Sequence, residues 1–236
     1  MTKATLAILG TPIGNLKDIS YRAVETLTKA QVIFCEDTRV THKLLKAYNI
    51  TTPCKTYNTH SGERGIQAIA ETLQPGALVV LVTDAGMPAI SDPGSRVVAW
   101  ARQHLREQAK VVVIPGPDAV STAIAGAGAR SKGYIFFGFL PTKKGRQTEL
   151  QAIMAAVATT AGVVYESPHR ILKLLTELEA LGYVGNITIG RELTKMHEEF
   201  LHGTASELLR LFDQSPEKVR GEFTLVLHPP ERLPRD

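Results

Sequence analysis

The sequence is poor in the features that would place it in a specialised class of protein. Two cysteines, Cys35 and Cys54, are too few for a disulfide framework and lack metal-site spacing, so we expect no bound metal and a reducing, cytoplasmic environment. The longest apolar runs have only the length of a strand, which predicts no membrane span, and residues 1–9 are too short for a secretory signal. Neither a dinucleotide-binding G-x-G-x-x-G motif nor a Walker loop follows the first predicted strand.

The remaining composition is that of a globular protein. Hydrophobic residues make up 44% and charged residues 21% of the sequence, and a length of 236 residues is enough for one large or two modest domains. Lysine and arginine outnumber aspartate and glutamate by 27 to 23, a net charge of +4. This excess permits an anionic partner without requiring one.

One stretch organises the chain, an apolar run followed at once by a loop rich in glycine and proline. Residues 78–82 are all apolar and mostly β-branched, which predicts a strand buried on both faces. The run ends near Asp84, and Ser91 or Asp92 is expected to cap the next helix with Pro93 at its first position. Open α/β sheets bind ligands at the carboxyl ends of their strands, so this loop is a candidate site. A capped turn without a ligand is the alternative.

The same pattern recurs at two other predicted strand ends. Residues 4–9 lead into a glycine- and proline-containing turn at 10–15, and residues 111–114 lead into another at 115–118. Repeated strand–turn–helix units predict a parallel sheet covered by helices. The prolines remove N–H donors that would bind phosphate oxygens. These turns therefore suit a neutral or zwitterionic cofactor with adenine and ribose better than a triphosphate.

Several local signals predict individual elements. Asp18 is expected to cap the first helix, and Thr204 with Glu207 forms the pattern of a capping box. Residues 134–140 hold four of the thirteen Phe and Tyr residues, which predicts a core strand. Residues 36–39, Glu-Asp-Thr-Arg, follow another predicted strand and indicate either a site or a helix cap with a surface ion pair.

The second half of the chain carries basic turns, and the expected domain boundary lies in the basic, glycine-rich segment 127–133. The predicted domains are 1–127 and 128–228, followed by a tail at 229–236. Each basic turn alone is typical of a solvated loop, whereas together they indicate a surface that contacts phosphates. The candidate phosphate contacts are Arg130, Lys132, Lys143, Lys144, Arg146 and His169.

Seven separated motifs, in order over nearly the whole chain, resemble the tetrapyrrole methylase superfamily. They are LGTPIGNL (9–16), EDTR (36–39), TDAGMPAISDPG (83–94), IPGP (114–117), FGFLP (137–141), YESPHR (165–170) and RELTK (191–195). Within the superfamily they are most similar to the branch that methylates a cytidine ribose 2′-oxygen in small-subunit (16S) ribosomal RNA. The resemblance implies that the methylated cytidine lies in the decoding region and that the substrate is the RNA within the small ribosomal subunit.

The resemblance also implies a fold and a cofactor. It implies an α/β protein of two α/β domains, with a mainly parallel N-terminal sheet, a mixed C-terminal sheet, S-adenosylmethionine in the cleft between the domains, and a homodimer. The cofactor contacts that it implies are Pro12, Asp84, Ala85, Gly86, Ile90, Ser91, Asp118 and Ala119.

Methyl transfer to a ribose hydroxyl needs a base or a cation near the reacting oxygen. Glu166 is the first candidate for the base, with Arg170 and Lys195 orienting phosphate or stabilising the oxygen. The alternative is that Glu166 only pairs with Arg170 and fixes its loop. Two other functions stay open: methylation of a small tetrapyrrole or other small molecule, and RNA binding without catalysis. The basic second half argues against the former and the cofactor-type turns against the latter.

Overall fold

The structure is a computed structural model that describes residues 2–91, 94–105 and 107–230. These residues form two compact units that divide between Asp118 and Ala119. The division comes earlier than the boundary predicted at residues 127–133, because the helix Ala119–Ala127 packs on strands of the second unit. No helix within the described ranges is both long enough and apolar enough to cross a membrane.

The first unit is a five-stranded, fully parallel sheet of order β3-β2-β4-β1-β5, which confirms the predicted parallel sheet. Its strands are β1 (Ala4–Leu9), β2 (Val32–Cys35), β3 (Cys54–Thr56), β4 (Leu78–Leu81) and β5 (Ala109–Ile114). Its helices are α1 (Tyr21–Lys29), α2 (Thr38–Ala47), α3 (Gly62–Thr72) and α4 (Gly94–His104).

Both faces of this sheet are buried, because alternate residues of its central strands belong to different core clusters. Leu6 of β1 lies in one cluster with Ile69 of α3 and Val97 of α4. Leu9 of β1 lies in the other cluster with Leu27 of α1. This arrangement explains why β4 is a continuous apolar run, and why β1 is apolar except at Thr5, instead of alternating with polar residues.

The second unit is a five-stranded mixed sheet of order β6-β7-β10-β8-β9, in which only the β6–β7 pair is parallel. Its strands are β6 (Tyr134–Phe139), β7 (Ala161–Glu166), β8 (Ile187–Arg191), β9 (Glu199–Gly203) and β10 (Phe223–Leu227). Its helices are α5 (Ala119–Ala127), α6 (Arg146–Val157), α7 (Ile171–Ala180) and α8 (Ala205–Gln214). The predicted mixed C-terminal sheet is confirmed.

Two local predictions are wrong. The side chain that caps α1 is that of Ser20, which accepts from the Ala23 amide, whereas Asp18 belongs to a short 3-10 turn before it. β6 lies at a sheet edge rather than in the core, so Tyr134 is 48% and Phe139 56% exposed. The capping box of Thr204 and Glu207 on α8 is confirmed. Asp92, one of the two predicted caps of α4, and Pro93, predicted at its first position, lie outside the described residues.

Candidate functional site

The three glycine- and proline-containing turns of the first unit meet at the carboxyl edge of its sheet. Thr11 and Gly86 exchange backbone hydrogen bonds of 2.9 and 3.1 Å, which joins the turn after β1 to the loop after β4. The Gly10 amide donates to the Ile114 carbonyl at 3.1 Å, which joins the first turn to the end of β5. The predicted cluster of strand-end turns is therefore present within this unit.

Two glycines allow this close approach of backbones. A Cβ atom on Gly116 would lie 2.6 Å from the Gly10 carbonyl oxygen, and one on Gly10 would lie 2.8 Å from the Gly116 Cα. Gly86 has a φ of +86°, in the left-handed region that other residues rarely adopt. Side chains at Gly10 and Gly116 would push the turns apart, and one at Gly86 would strain its backbone.

A cavity of about 310 Å³ lies beside the joined turns. Its lining is Thr11, Pro12, Ile13, Gly14, Leu16, Val40, Thr41, Lys43, Leu44, Thr83, Asp84 and Ala85. Asp84 supplies the only carboxylate of this lining, and its Oδ1 accepts the Asp37 amide at 2.9 Å. The structure thus brings three of the predicted cofactor residues together in one cavity, Pro12, Asp84 and Ala85.

Asp37 begins α2 as its N-cap and also pairs with an arginine. Its carboxylate accepts the Arg39 amide at 2.8 Å and forms an ion pair of 2.6 Å with the Arg39 guanidinium. These bonds to Arg39 lower the pKa of Asp37 to about 2. The helix cap and surface ion pair that the sequence offered as one interpretation of residues 36–39 are both present.

The remaining predicted cofactor residues lie farther along the chain. Ile90 is exposed, Asp118 ends the first unit, and Ala119 opens α5 in the second. Ala89 and Ser91 have φ values of 73° and 63°, which is strained for non-glycine residues. Cofactor contacts of Ile90, Ser91, Asp118 and Ala119 stay predictions.

A second cavity, of about 390 Å³, lies between the loop after β3 and the loop before α4. Its lining is Tyr57, Asn58, Thr59, Ala89, Ser91, Ser95 and Arg96, and we call it the Arg96 pocket. Asn58 and Arg96 are not among the site residues that the sequence predicts. Nothing in the sequence signals that Asn58, in the loop after β3, and Arg96, in the first turn of α4, line one cavity.

In the second unit, Glu166 ends β7 as a carboxylate with no exposed side-chain surface. Its Oε1 accepts the Ser167 amide at 2.8 Å and pairs with Arg170 Nε at 2.8 Å. Its Oε2 lies 3.7 Å from Arg146 Nη1 and has no hydrogen-bond partner among the described residues. The alternative role for Glu166, pairing with Arg170 and fixing the loop, has the geometry that it requires.

Arg146 requires a correction to the predicted phosphate contacts. Its side chain is only 4% exposed and forms a 2.7 Å ion pair with Glu177 of α7. The same guanidinium donates to the Pro141 carbonyl at 3.2 Å. Arg146 therefore stabilises the turn before α6 and exposes too little surface to contact a phosphate. The other five candidates, Arg130, Lys132, Lys143, Lys144 and His169, are all exposed.

Lys195 lies in the loop between β8 and β9 and contacts two carboxylates. Its Nζ is 2.9 Å from Glu192 Oε1 and 3.1 Å from Glu222 Oε2. Burial opposes the charge of Lys195, but the two carboxylates outweigh it and raise its pKa. Lys195 is therefore a cation held in place by its neighbours.

Comparison with known proteins adds family information to this geometry. Residues 5–209 match the family model described as Tetrapyrrole (Corrin/Porphyrin) Methylases. A protein of Borrelia garinii named Ribosomal RNA small subunit methyltransferase I is 44% identical, with 94% of this chain and 97% of that protein covered. A protein of the same name from Thermotoga maritima is 40% identical over the same shares of both chains.

Solved structures with the same fold are more distant in sequence. Cobalt precorrin-4 methyltransferase has a TM-score of 0.70 at 18% identity, with 95% of this chain and 94% of that chain covered. Uroporphyrin-III C-methyltransferase of Thermus thermophilus, solved with S-adenosylhomocysteine, has a TM-score of 0.62 at 16% identity, with 95% and 97% covered. At these identities the likeness concerns the fold alone.

Proposed function

We propose that this chain, which belongs to the tetrapyrrole (corrin/porphyrin) methylase family, is an S-adenosylmethionine-dependent methyltransferase of small-subunit (16S) ribosomal RNA. One observation carries the proposal: the 44% identity to a ribosomal RNA small subunit methyltransferase over 97% of that relative's length. The tetrapyrrole-methylating neighbours share the fold at only 16–18% identity. A tetrapyrrole acceptor is therefore not favoured.

The first cavity fits S-adenosylmethionine by its chemistry. Its lining is mostly apolar with a few polar groups, as in sites that hold small cofactors. The Asp37 amide fixes Asp84 through Oδ1, while Oδ2 accepts no hydrogen bond from the described residues and is available to an ammonium or hydroxyl group. When bound, the cofactor supplies a methyl group made electrophilic by its sulfonium. The proposed first-unit contacts are Pro12, Asp84, Ala85, Gly86, Ile90, Ser91 and Asp118.

The finer proposal is that the acceptor is the 2′-oxygen of a cytidine ribose in the decoding region of the small subunit. The motif resemblance to the branch with this chemistry supports it. Exposed cations of the second unit would contact RNA phosphates, an interaction that depends strongly on salt. They are Arg130, Lys132, Lys143, Lys144 and His169.

For the chemical step we assign different tasks to Glu166 and to the two candidate cations, Arg170 and Lys195. Glu166 acts as a positioning residue, because its buried carboxylate holds the Arg170 guanidinium at 2.8 Å. Arg170 and Lys195 orient a phosphate or stabilise negative charge on the reacting oxygen. Both cations are partly exposed, as this role requires.

Location and assembly follow from the proposed substrate and resemblance. A cytoplasmic homodimer is the proposed state, with the small ribosomal subunit as partner. The exposed apolar side chains of the edge strand β6, including Tyr134, Ile135 and Phe139, support an association surface.

A labelled methyl transfer experiment tests the function. The protein is incubated with methyl-labelled S-adenosylmethionine and, in separate reactions, with unmethylated small ribosomal subunits, free 16S RNA, large-subunit RNA or a tetrapyrrole. Label is expected in small-subunit RNA and absent from large-subunit RNA and the tetrapyrrole. Label in the tetrapyrrole, with none in either form of small-subunit RNA, would contradict the proposal.

A further inference from the structure

The Arg96 pocket is lined by hydrogen-bond donors, and none of the described residues that line it carries a carboxylate. Arg96, in the first turn of α4, is the one charged side chain among the described lining residues. Arg96 is exposed and forms no ion pair or hydrogen bond with any residue in the described ranges. A guanidinium without a carboxylate partner among the described residues presents its planar fork of N–H donors to an anion, and phosphate matches that fork.

Asn58 presents a second set of donors. Its side-chain Oδ1 accepts hydrogen bonds from the His60 amide at 3.0 Å and from the Ser61 hydroxyl at 3.2 Å. The Asn58 amide in turn donates to the Ser61 hydroxyl oxygen at 2.9 Å, so the loop holds this side chain in one orientation. With Oδ1 so occupied, the two N–H groups on Nδ2 are the part of the side chain left for a ligand.

Hydroxyl groups complete the lining and add adaptable polar contacts. Thr59 comes from the same loop as Asn58, and Ser91 and Ser95 come from the opposite wall. Ser91, Ser95 and Arg96 are exposed, so the pocket is open to a large ligand. Its volume of about 390 Å³ is in the range of sites that hold small molecules, and exceeds the needs of a single inorganic anion.

We propose that the Arg96 pocket binds a phosphodiester of the substrate RNA, with the attached ribose in the rest of the cavity. This inference rests on the proposed function, because it takes ribosomal RNA as the ligand. The pocket holds the phosphate through Arg96 and Asn58 and reads no base. Ser91 lies in the loop that begins at Asp84, so the phosphate contact also connects bound RNA to the cofactor loop.

The test compares Arg96→Ala and Arg96→Lys with a matched control on the same helix. Arg102→Ala removes an exposed arginine from the last turn of α4, outside the pocket. Binding of a 16S RNA fragment is measured at several salt concentrations, and S-adenosylmethionine binding by calorimetry. Arg96→Ala should weaken RNA binding about tenfold at low salt. It should also reduce the slope of log affinity against log salt by about 0.7 to 1.

The controls separate the contribution of the Arg96 pocket to RNA binding from the effect of losing any positive charge on the surface. Arg96→Lys should keep the salt slope but lose part of the affinity, because a lysine cannot form the bidentate fork. Arg102→Ala should match the wild type in both quantities. An unchanged slope in Arg96→Ala, or an equal loss in Arg102→Ala, would overturn the proposal. Weaker cofactor binding in Arg96→Ala with normal RNA binding would also overturn it, and would assign the pocket to the cofactor's carboxylate.

Failure of the proposed function is distinguished by methyl transfer with the wild type. A wild type that methylates small-subunit RNA, together with an unchanged salt slope in Arg96→Ala, overturns the pocket alone. A wild type that neither methylates nor binds this RNA overturns both proposals.

Discussion

Glu166 shows how burial limits what a single carboxylate can do. Its side chain has no exposed surface, and moving a charge out of water costs several kcal/mol unless partners compensate. Arg170 and Arg146 supply that compensation at 2.8 and 3.7 Å. A general base must reach the proton that it removes, so an enclosed carboxylate is better suited to holding its arginines than to catalysis.

Replacing Glu166 by glutamine separates the two roles. Glu166→Gln removes the charge from between two guanidinium groups, so we expect a loss of about 3 kcal/mol in the free energy of unfolding, measured by urea denaturation. Glu179→Gln is the control, since Glu179 is exposed on α7. It should change stability by no more than about 0.5 kcal/mol. Unchanged stability with a roughly 10²-fold lower single-turnover methylation rate would instead make Glu166 the base.

Asp84 combines a structural hydrogen bond with a charge offered to the cofactor. Asp84→Asn keeps an oxygen that can accept the Asp37 amide while removing the charge. Calorimetry should show S-adenosylmethionine binding weakened by about 1–3 kcal/mol, with thermal unfolding close to that of the wild type. Asp84→Ala should lose the same affinity and also some stability, because the Asp37 amide loses its acceptor. If Asp84→Asn bound S-adenosylmethionine with wild-type affinity, the charge of Asp84 would have no part in cofactor binding.

Individual residues were predictable where the signal is local, and unpredictable where the partner is distant. Asp84 follows an apolar run, so its place at a strand end could be predicted. Arg146 sits in a basic turn with Lys143 and Lys144 and is indistinguishable from them in sequence. What distinguishes Arg146 is its contact with distant carboxylates: Glu177, 31 residues away on α7, and Glu166 at the end of β7.

At the scale of elements, helix starts are encoded by a few side chains, and α8 is the clearest case. Thr204 accepts the Glu207 amide, and the Glu207 carboxylate accepts the Thr204 amide at 2.8 Å. Both bonds join residues three apart, which is why the four-residue pattern was sufficient to predict them. α1 differs, because Asp18 and Ser20 both have capping side chains and only the folded chain selects Ser20.

The capping box can be tested by a pair of identical substitutions. Thr204→Ala should lower the free energy of unfolding by about 1 kcal/mol, measured by urea denaturation, because it removes the cap of α8. Thr176→Ala is the matched control: Thr176 is exposed within α7 and its hydroxyl bonds only the Leu172 carbonyl of the same helix. It should be neutral or slightly stabilising. An equal loss in both variants would show that the cap contributes nothing specific.

Strands were easier to predict than their places in a sheet. The apolar run at 78–82 predicted a strand buried on both faces, and β4 is central in the first sheet. β6 is equally rich in apolar residues, yet it lies at an edge of the second sheet with Phe139 56% exposed. The amino-acid composition of a segment predicts that it forms a strand. Which strands lie beside it in the sheet depends on pairing between segments distant in sequence.

At the scale of the whole chain, the fold class and family were predictable from sequence. Repeated strand–turn–helix units predicted the parallel sheet, and the seven motifs indicated the family that the 5–209 match shows. The strand orders and the division at Asp118 were not predictable, because they depend on long-range packing such as that of α5 on β8 and β10.

Alkaline digestion of the methylated RNA is the most direct test of the central claim, methyl transfer to a ribose hydroxyl of small-subunit RNA. Alkali cleaves RNA through attack of the free 2′-oxygen on the adjacent phosphate, so a 2′-O-methyl group blocks cleavage at that linkage. After reaction with methyl-labelled S-adenosylmethionine, the account predicts that the label from 16S RNA appears in an alkali-resistant dinucleotide whose 5′ residue is cytidine. Label released in a mononucleotide would show methylation of a base and would contradict the account.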